Sequence, residues 1–202
     1  MPSFLEELRE TSKFFMKADE VHDTLARVTR RLQEAGIDYA LIGGMALFAH
    51  GYRRYTTDVD ILTTPDGLSA IHQQLVGRGF VPLFPGARKA LRDTNTGVTV
   101  EFITTADYPG DGKPKPVGFP DPATASVDID GVRVITIEKL IELKLASGLS
   151  NEKRMRDLSD VMDLIANLNL PLEFAEKLDP SVRDTYIKYW NANQNYTGPD
   201  RE

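Results

Sequence analysis

The chain has 202 residues, 41% of them hydrophobic and 27% charged, an ordinary globular composition that suits one domain, or one domain with a small helical extension. Its formal net charge of −6 argues against a surface that is basic overall, although 24 Lys and Arg leave room for a local basic cleft. There is no cysteine, hence no disulfide and no thiolate zinc site. There is also no apolar run long enough to span a membrane, and the opening MPSFLEELRE does not read as a signal peptide, so a cytoplasmic location with no membrane partner is expected.

Residues 3–17 read as a helix with Phe4, Leu5, Leu8, Phe15 and Met16 inward. A second helix follows over 19–35, with Val21, Leu25, Val28 and Leu32 at helical spacing and Gly36 as its stop; Arg27, Arg30 and Arg31 read as its solvated face. Ile37 to Ile42 is an apolar first strand. It turns at Gly43-Gly44 into a short helix, Met45 to His50, and the chain returns as a second apolar run, Asp58-Val59-Asp60-Ile61-Leu62.

In a strand, residues two apart point to the same face, so Asp58 and Asp60 stand side by side, about 7 Å apart along the strand. Unpaired carboxylates are costly in a core, but are well placed to hold a divalent cation through oxygen ligands. If drawn to about 4 Å, two of them repel by roughly 4 kcal/mol at an effective dielectric of 20, which a cation offsets. The glycine pair follows a strand and precedes a helix, a geometry in which backbone N–H groups approach an anion closely. Thirteen residues separate Gly44 from Asp58, enough for a helix and a return loop, so a triphosphate at the turn and a metal at the aspartates can share one cleft. One of Arg53 and Arg54, on the return loop, near that triphosphate would neutralise developing charge.

Beyond Leu62, Thr64 before Pro65 is a candidate N-cap for a helix over Leu68 to Arg78, with Ile71, Leu75 and Val76 apolar and Gly79 ending it. Residues 88–105 read as a hairpin turning at Asp93-Thr94-Asn95-Thr96-Gly97. In its second strand Val98, Val100 and Phe102 alternate with Thr99, Glu101 and Ile103. Residues 106–126, rich in Pro, Gly and Asp, form a long loop whose Lys113 and Lys115 read as solvated. A second hairpin turns at Asp130-Gly131 in type I′ geometry. Helices are expected over Ile137 to Ser147, capped by Thr136, and over 153–168. Two short helices broken at Asp179-Pro180 follow, and then a polar tail from Asn191. The domain reading is therefore N-terminal helices over 1–36, a core over 37–136, C-terminal helices over 137–190 and a flexible tail over 191–202.

At Ile42-Gly43-Gly44 and Asp58-Val59-Asp60-Ile61 the chain resembles the nucleotidyltransferases of the DNA polymerase β-like superfamily. Their signature is a hydrophobic residue, Gly, Gly or Ser, about a dozen residues, then alternating acids and hydrophobics. Arg54 and Thr56 match a common form of the motif. Lys144 (or Lys139), followed by Arg156-Asp157-Leu158-Ser159-Asp160, resembles the C-terminal motifs of the toxin-type, AbiEii-like branch. The resemblance covers roughly residues 38–168.

It implies an α/β (α+β) fold, a mixed β-sheet flanked by N- and C-terminal helices. It also implies transfer of a nucleoside monophosphate from an NTP, such as ATP, to an acceptor hydroxyl. Asp58, Asp60 and Glu101 are the implied metal ligands, for Mg²⁺ or Mn²⁺, with Glu101 also helping to deprotonate the hydroxyl. Gly43, Gly44 and the backbone at Met45 are implied to hold phosphates, with Arg54 and Thr56 beside them. Lys144 is implied to contact phosphate, and Asp160 to position it or the acceptor. RNA, tRNA or a protein side chain is the implied acceptor, and an antitoxin an implied partner. A small-molecule antibiotic acceptor, or a non-catalytic nucleotide-binding or interaction module on the same fold, are the alternatives.

Overall fold

The structure, a computed structural model, describes residues 18–195. The helix expected over 3–17 and the end of the expected tail lie outside the described residues. The chain forms two compact units. One takes the chain up to Ala106 together with Phe119–Thr136; the other takes Asp107–Gly118 and the chain from Ile137 onward. The long segment expected as one loop over 106–126 is thus divided, its middle belonging to the second unit.

In the first unit, α1 (Ala18–Glu34) leads to β1 (Tyr39–Ile42), α2 (Gly43–Ala49), β2 (Asp58–Thr63), α3 (Pro65–Leu75), β3 (Phe80–Pro82), β4 (Ala90–Asp93), β5 (Thr99–Thr104), β6 (Ser126–Ile129) and β7 (Val132–Ile135). The seven strands form one sheet in the order β3-β4-β5-β2-β1-β7-β6. β2 runs parallel to β5 and β1 parallel to β7, while the other neighbours are antiparallel. The sheet is therefore mixed, with β2 and β1 at its centre. The central strands are apolar because they are covered: all of β1 is buried, as are Val59, Ile61 and Leu62 of β2 and Val100 and Phe102 of β5.

Local chemistry sets the element ends. Val21, Leu25, Val28 and Leu32 of α1 are buried at helical spacing. Thr64 accepts the Gly67 N–H at 2.9 Å, with Pro65 at the first helical position of α3. α3 stops at Leu75, earlier than its apolar pattern suggested, because Val76 turns extended and bridges to Phe80. At the second hairpin Asp130 and Gly131 have φ of 51° and 82°, the two positive values a type I′ turn needs.

Arg27 corrects the reading of its helix face as solvated. Its guanidinium is paired with the Asp93 carboxylate, 66 residues away, and Asp93 is buried. Asp93 also accepts from the Thr24 hydroxyl at 3.0 Å and from the Asn95 N–H at 2.9 Å. The first hairpin turn is thereby tied to α1. Arg27→Met strands that carboxylate. With Arg27 itself partly exposed, chemical denaturation is expected to show a loss of about 2–3 kcal/mol, somewhat under the usual cost of breaking a buried pair; a change below about 0.5 kcal/mol contradicts the assignment.

The second unit consists of α4 (Ile137–Ser150), a 3₁₀ turn (Glu152–Arg154), α5 (Met155–Asn167), a 3₁₀ segment (Leu172–Lys177) and α6 (Pro180–Gln194). A Cβ on Gly148 would overlap the Leu158 side chain, so the absence of one lets α4 and α5 approach closely. The 107–118 segment is fastened just beyond the end of α4 by Asn151, which donates to the Gly110 carbonyl at 3.1 Å. Lys115, expected in solvent, closes its own loop instead, donating to the Pro109 carbonyl at 2.6 Å and pairing with Asp111. Tyr186 is fully buried and donates to the Pro171 carbonyl at 2.9 Å. Because α6 runs through Gln194, residues 191–194 are helical rather than the start of a frayed tail. Among the described residues no helix is long and apolar enough to cross a membrane.

Candidate active site

The sheet register sets on one face the two acids that the sequence spacing singles out and the third that the resemblance implies. Asp60 on β2 lies directly beside Glu101 on β5, and Asp58 beside Thr99. Paired residues of neighbouring strands share a face, as do residues two apart on one strand. Asp58, Asp60 and Glu101 therefore stand on one side of the sheet, with strands about 4.8 Å apart. Val59, Ile61, Val100 and Phe102 occupy the opposite, buried side. Asp58 and Asp60 are half-buried and Glu101 is exposed.

The glycine pair is fitted to these side chains. Gly43 has φ of 63°, and a Cβ built there would fall into the Asp60 carboxylate, so that carboxylate rests against the bare Cα. A Cβ on Gly44 would lie 2.9 Å from both Cβ and Oγ1 of Thr56. Thr56 in turn donates its hydroxyl to Asp58 Oδ1 at 2.6 Å. Each glycine thus makes room for one arm of the acidic motif, a use the sequence did not disclose. Its only trace there was the fixed spacing between the Gly-Gly and the acids.

Gly43 and Gly44 are themselves the start of α2, two residues earlier than expected. Ile42 at the cap offers no side-chain acceptor to the first-turn N–H groups. Met45 is buried. Arg54 is half-buried and Arg53 exposed on the return loop. His50 Nε2 lies 2.7 Å from the Ile135 carbonyl, which fastens the end of α2 to β7.

As they stand, no three His, Asp or Glu side chains among the described residues are gathered closely enough to hold a metal ion. The donor set nevertheless fits a hard divalent cation. The candidate donors are all carboxylate oxygens on one sheet face: Asp60 against the bare Gly43, Asp58 beside its donor Thr56, and the exposed Glu101 on the neighbouring strand.

Lys144 and Asp160 belong to the second unit and meet each other there. Lys144 Nζ lies 2.7 Å from Asp160 Oδ2 and 2.9 Å from Asp157 Oδ1, and Ser147 donates to Asp157 Oδ2 at 2.7 Å. Lys144 and Asp160 are buried, their side chains only 7% and 3% exposed. Asp157, a member of the motif given no role of its own, and Ser147, which the sequence did not single out, complete this cluster. Their signal was the i,i+3 spacing of 144 with 147 and of 157 with 160 on two neighbouring helices.

Burial alone would raise the Asp157 carboxyl, but Lys144, the Ser147 hydroxyl and Arg154 outweigh it and hold the group below the usual carboxylate range. A carboxyl depressed in the fold contributes stability above its unfolded pKa of about 4, and loses it as pH falls through the folded value. Lys144→Met leaves two carboxylates without their cation, and urea unfolding at pH 7 is expected to show a loss of about 3–5 kcal/mol. The deficit against wild type should narrow at acid pH, as the Asp157 carboxyl, held low by Lys144 in the wild type, takes up its proton. An equal deficit at the two pH values contradicts the ion-pair account.

No family model and no curated protein matches the sequence. Among solved structures the chain is similar to an antigenic nucleotidyltransferase-like protein from Paracoccidioides brasiliensis. The TM-score is 0.54 at 20% identity, covering 86% of this chain and 94% of that one. It is also similar to ANT(2″)-Ia in complex with adenylyl-2″-tobramycin, with a TM-score of 0.52 at 10% identity over 85% and 97% of the two chains. The solution structure of the antibiotic-resistance factor ANT(2″)-Ia gives 0.52 at 16% identity, over 89% and 100%. The mixed sheet with flanking helices is thus a nucleotidyltransferase-type fold.

Proposed function

We propose that the protein is a metal-dependent nucleotidyltransferase that moves a nucleoside monophosphate from an NTP to an acceptor hydroxyl. The observation that carries this reading is the register of Asp60 beside Glu101, with Asp58 on the same face and Asp60 seated on Gly43. Three acids on one face, with the turn shaped around Asp60 and around Thr56, the donor to Asp58, are hard to explain as ordinary surface.

Asp58, Asp60 and Glu101 would hold Mg²⁺ or Mn²⁺, whose charge, when bound, offsets that of the triphosphate and makes the attacking hydroxyl more acidic. The acceptor oxygen bonds to the α-phosphorus, the bond to the β-phosphate's bridging oxygen breaks, and pyrophosphate leaves. Glu101, the exposed member of the set, takes the hydroxyl proton. The backbone N–H groups of Gly43, Gly44 and Met45 hold the β- and γ-phosphates, and Arg54 neutralises charge beside them. Positioning and electrostatics carry most of such a reaction. Lys144 and Asp160 keep their expected roles toward phosphate and acceptor only if Lys144 leaves its two aspartates, so their first role is to hold the second unit together.

RNA, tRNA or a protein side chain is the acceptor we favour, in a toxin-type enzyme with an antitoxin partner, on the strength of the Lys144 and Arg156–Asp160 pattern. A small cationic antibiotic is the second reading, supported by the likeness to ANT(2″)-Ia, whose complex contains adenylyl-tobramycin, and by the net charge of −6. The test incubates the protein with each labelled NTP and Mg²⁺, in turn with total RNA, a protein extract and an aminoglycoside. Label in RNA or protein supports the first reading, and label on the drug supports the second. Absence of label from every acceptor, with NTP still bound, leaves a nucleotide-binding interaction module.

A further inference from the structure

The sequence pattern sets Thr56 among the nucleotide-contacting residues. The structure gives its hydroxyl a different use. A threonine hydroxyl has one proton, and that of Thr56 is donated to Asp58 Oδ1 at 2.6 Å, so it is not free for a phosphate oxygen at the same time. The rest of the side chain is held from behind. Its Cβ and Oγ1 lie where a Cβ on Gly44 would come within 2.9 Å, so the helix start forms a close wall against it. Asp58 is half-buried, and its Oδ1 is thereby fixed. Metal-binding carboxylates are commonly held in this way by a neighbouring donor, which fixes their orientation without itself touching the ion.

We propose that Thr56 is a positioning residue that fixes the Asp58 carboxylate toward the cation, with Gly44 shaped to hold Thr56 in place. This rests on the reading of Asp58 as a metal ligand. It gives the second glycine of the motif a task distinct from phosphate approach, since Gly43 makes room for Asp60 and Gly44 for the residue that steers Asp58.

The test is a titration of Mn²⁺ into the full chain without nucleotide, followed by calorimetry or by the electron paramagnetic resonance of free Mn²⁺. Thermal melts of each variant run alongside. Thr56→Val keeps the shape and removes the hydroxyl, Thr56→Ser restores the hydroxyl, and Asp58→Asn marks loss of the site. The expected result is Mn²⁺ affinity within about threefold of wild type for the serine variant and ten- to a hundredfold weaker for the valine variant, with both melting within a few degrees of wild type. A valine variant that binds Mn²⁺ like wild type, while Asp58→Asn does not, overturns the positioning role and leaves the site reading intact. So does a valine variant that weakens NTP alone, the mark of direct nucleotide contact. Equal Mn²⁺ binding by wild type and Asp58→Asn overturns the site reading and the Thr56 role together. Should the valine variant not fold, Thr56→Ala relieves any crowding at Gly44 and carries the same expectation.

Discussion

Asp58→Asn is expected to lower kcat/KM for nucleotide transfer by about a thousandfold or more, equivalent to about 4 kcal/mol of transition-state stabilisation. The substitution keeps the side chain's size and leaves an oxygen to accept from Thr56 Oγ1, so the hydrogen bond at 2.6 Å can persist. What is lost is the negative charge. Asp58 shares its sheet face with Asp60 and Glu101, and removing one of three like charges relieves repulsion among them. Stability by urea unfolding should therefore be within about 1 kcal/mol of wild type, which separates loss of chemistry from loss of fold. Activity within tenfold of wild type contradicts the assignment of Asp58.

Gly43→Ala is expected to have the next largest effect, for two separable reasons. At φ of 63° an alanine costs about 1–2 kcal/mol in backbone strain alone. Its Cβ would also occupy the place of the Asp60 carboxylate, which must turn away from the face it shares with Glu101. Gly36 supplies the internal control: its φ is 64°, and a Cβ there meets nothing within 4 Å. Gly36→Ala and Gly43→Ala should both lose stability by urea unfolding. Only the second should lose activity, by about a hundredfold or more, as misplacement of a catalytic group by about 1 Å commonly does. Equal activity in the two variants would mean that Asp60 does not need its seat.

Much of the fold was legible because it is written in local periods. The buried stripe of α1 shows as Val21, Leu25, Val28 and Leu32, the Thr64-Pro65 cap as a capping residue before a proline, and the second hairpin as Asp130-Gly131. The common face of Asp58 and Asp60 follows from strand geometry alone. Glu101 could be named, yet not its partner. β2 and β5 are parallel and separated in the chain by α3, β3 and β4, and no local pattern fixes the register that sets Asp60 beside it.

The misreadings have the same origin. Arg27 looked solvated because its partner, Asp93, is 66 residues away. The partners of Lys144 went unnamed because Asp157 and Asp160 lie 13 and 16 residues further on, on the next helix, beyond the i,i+3 and i,i+4 reach of a single helix. Gly43 and Gly44 showed that something must come close to the backbone. That it is the motif's own Asp60 and Thr56 is a three-dimensional fact.

The central claim is that the acids at 58, 60 and 101 bind a cation that a nucleoside triphosphate shares. The most direct measurement is calorimetric titration of each NTP into the full chain with Mg²⁺ present, and again with the metal chelated. The account predicts saturable binding of at least one NTP that weakens tenfold or more on chelation and in Asp58→Asn. Binding that is indifferent to both the metal and Asp58, or no binding of any NTP, would contradict it.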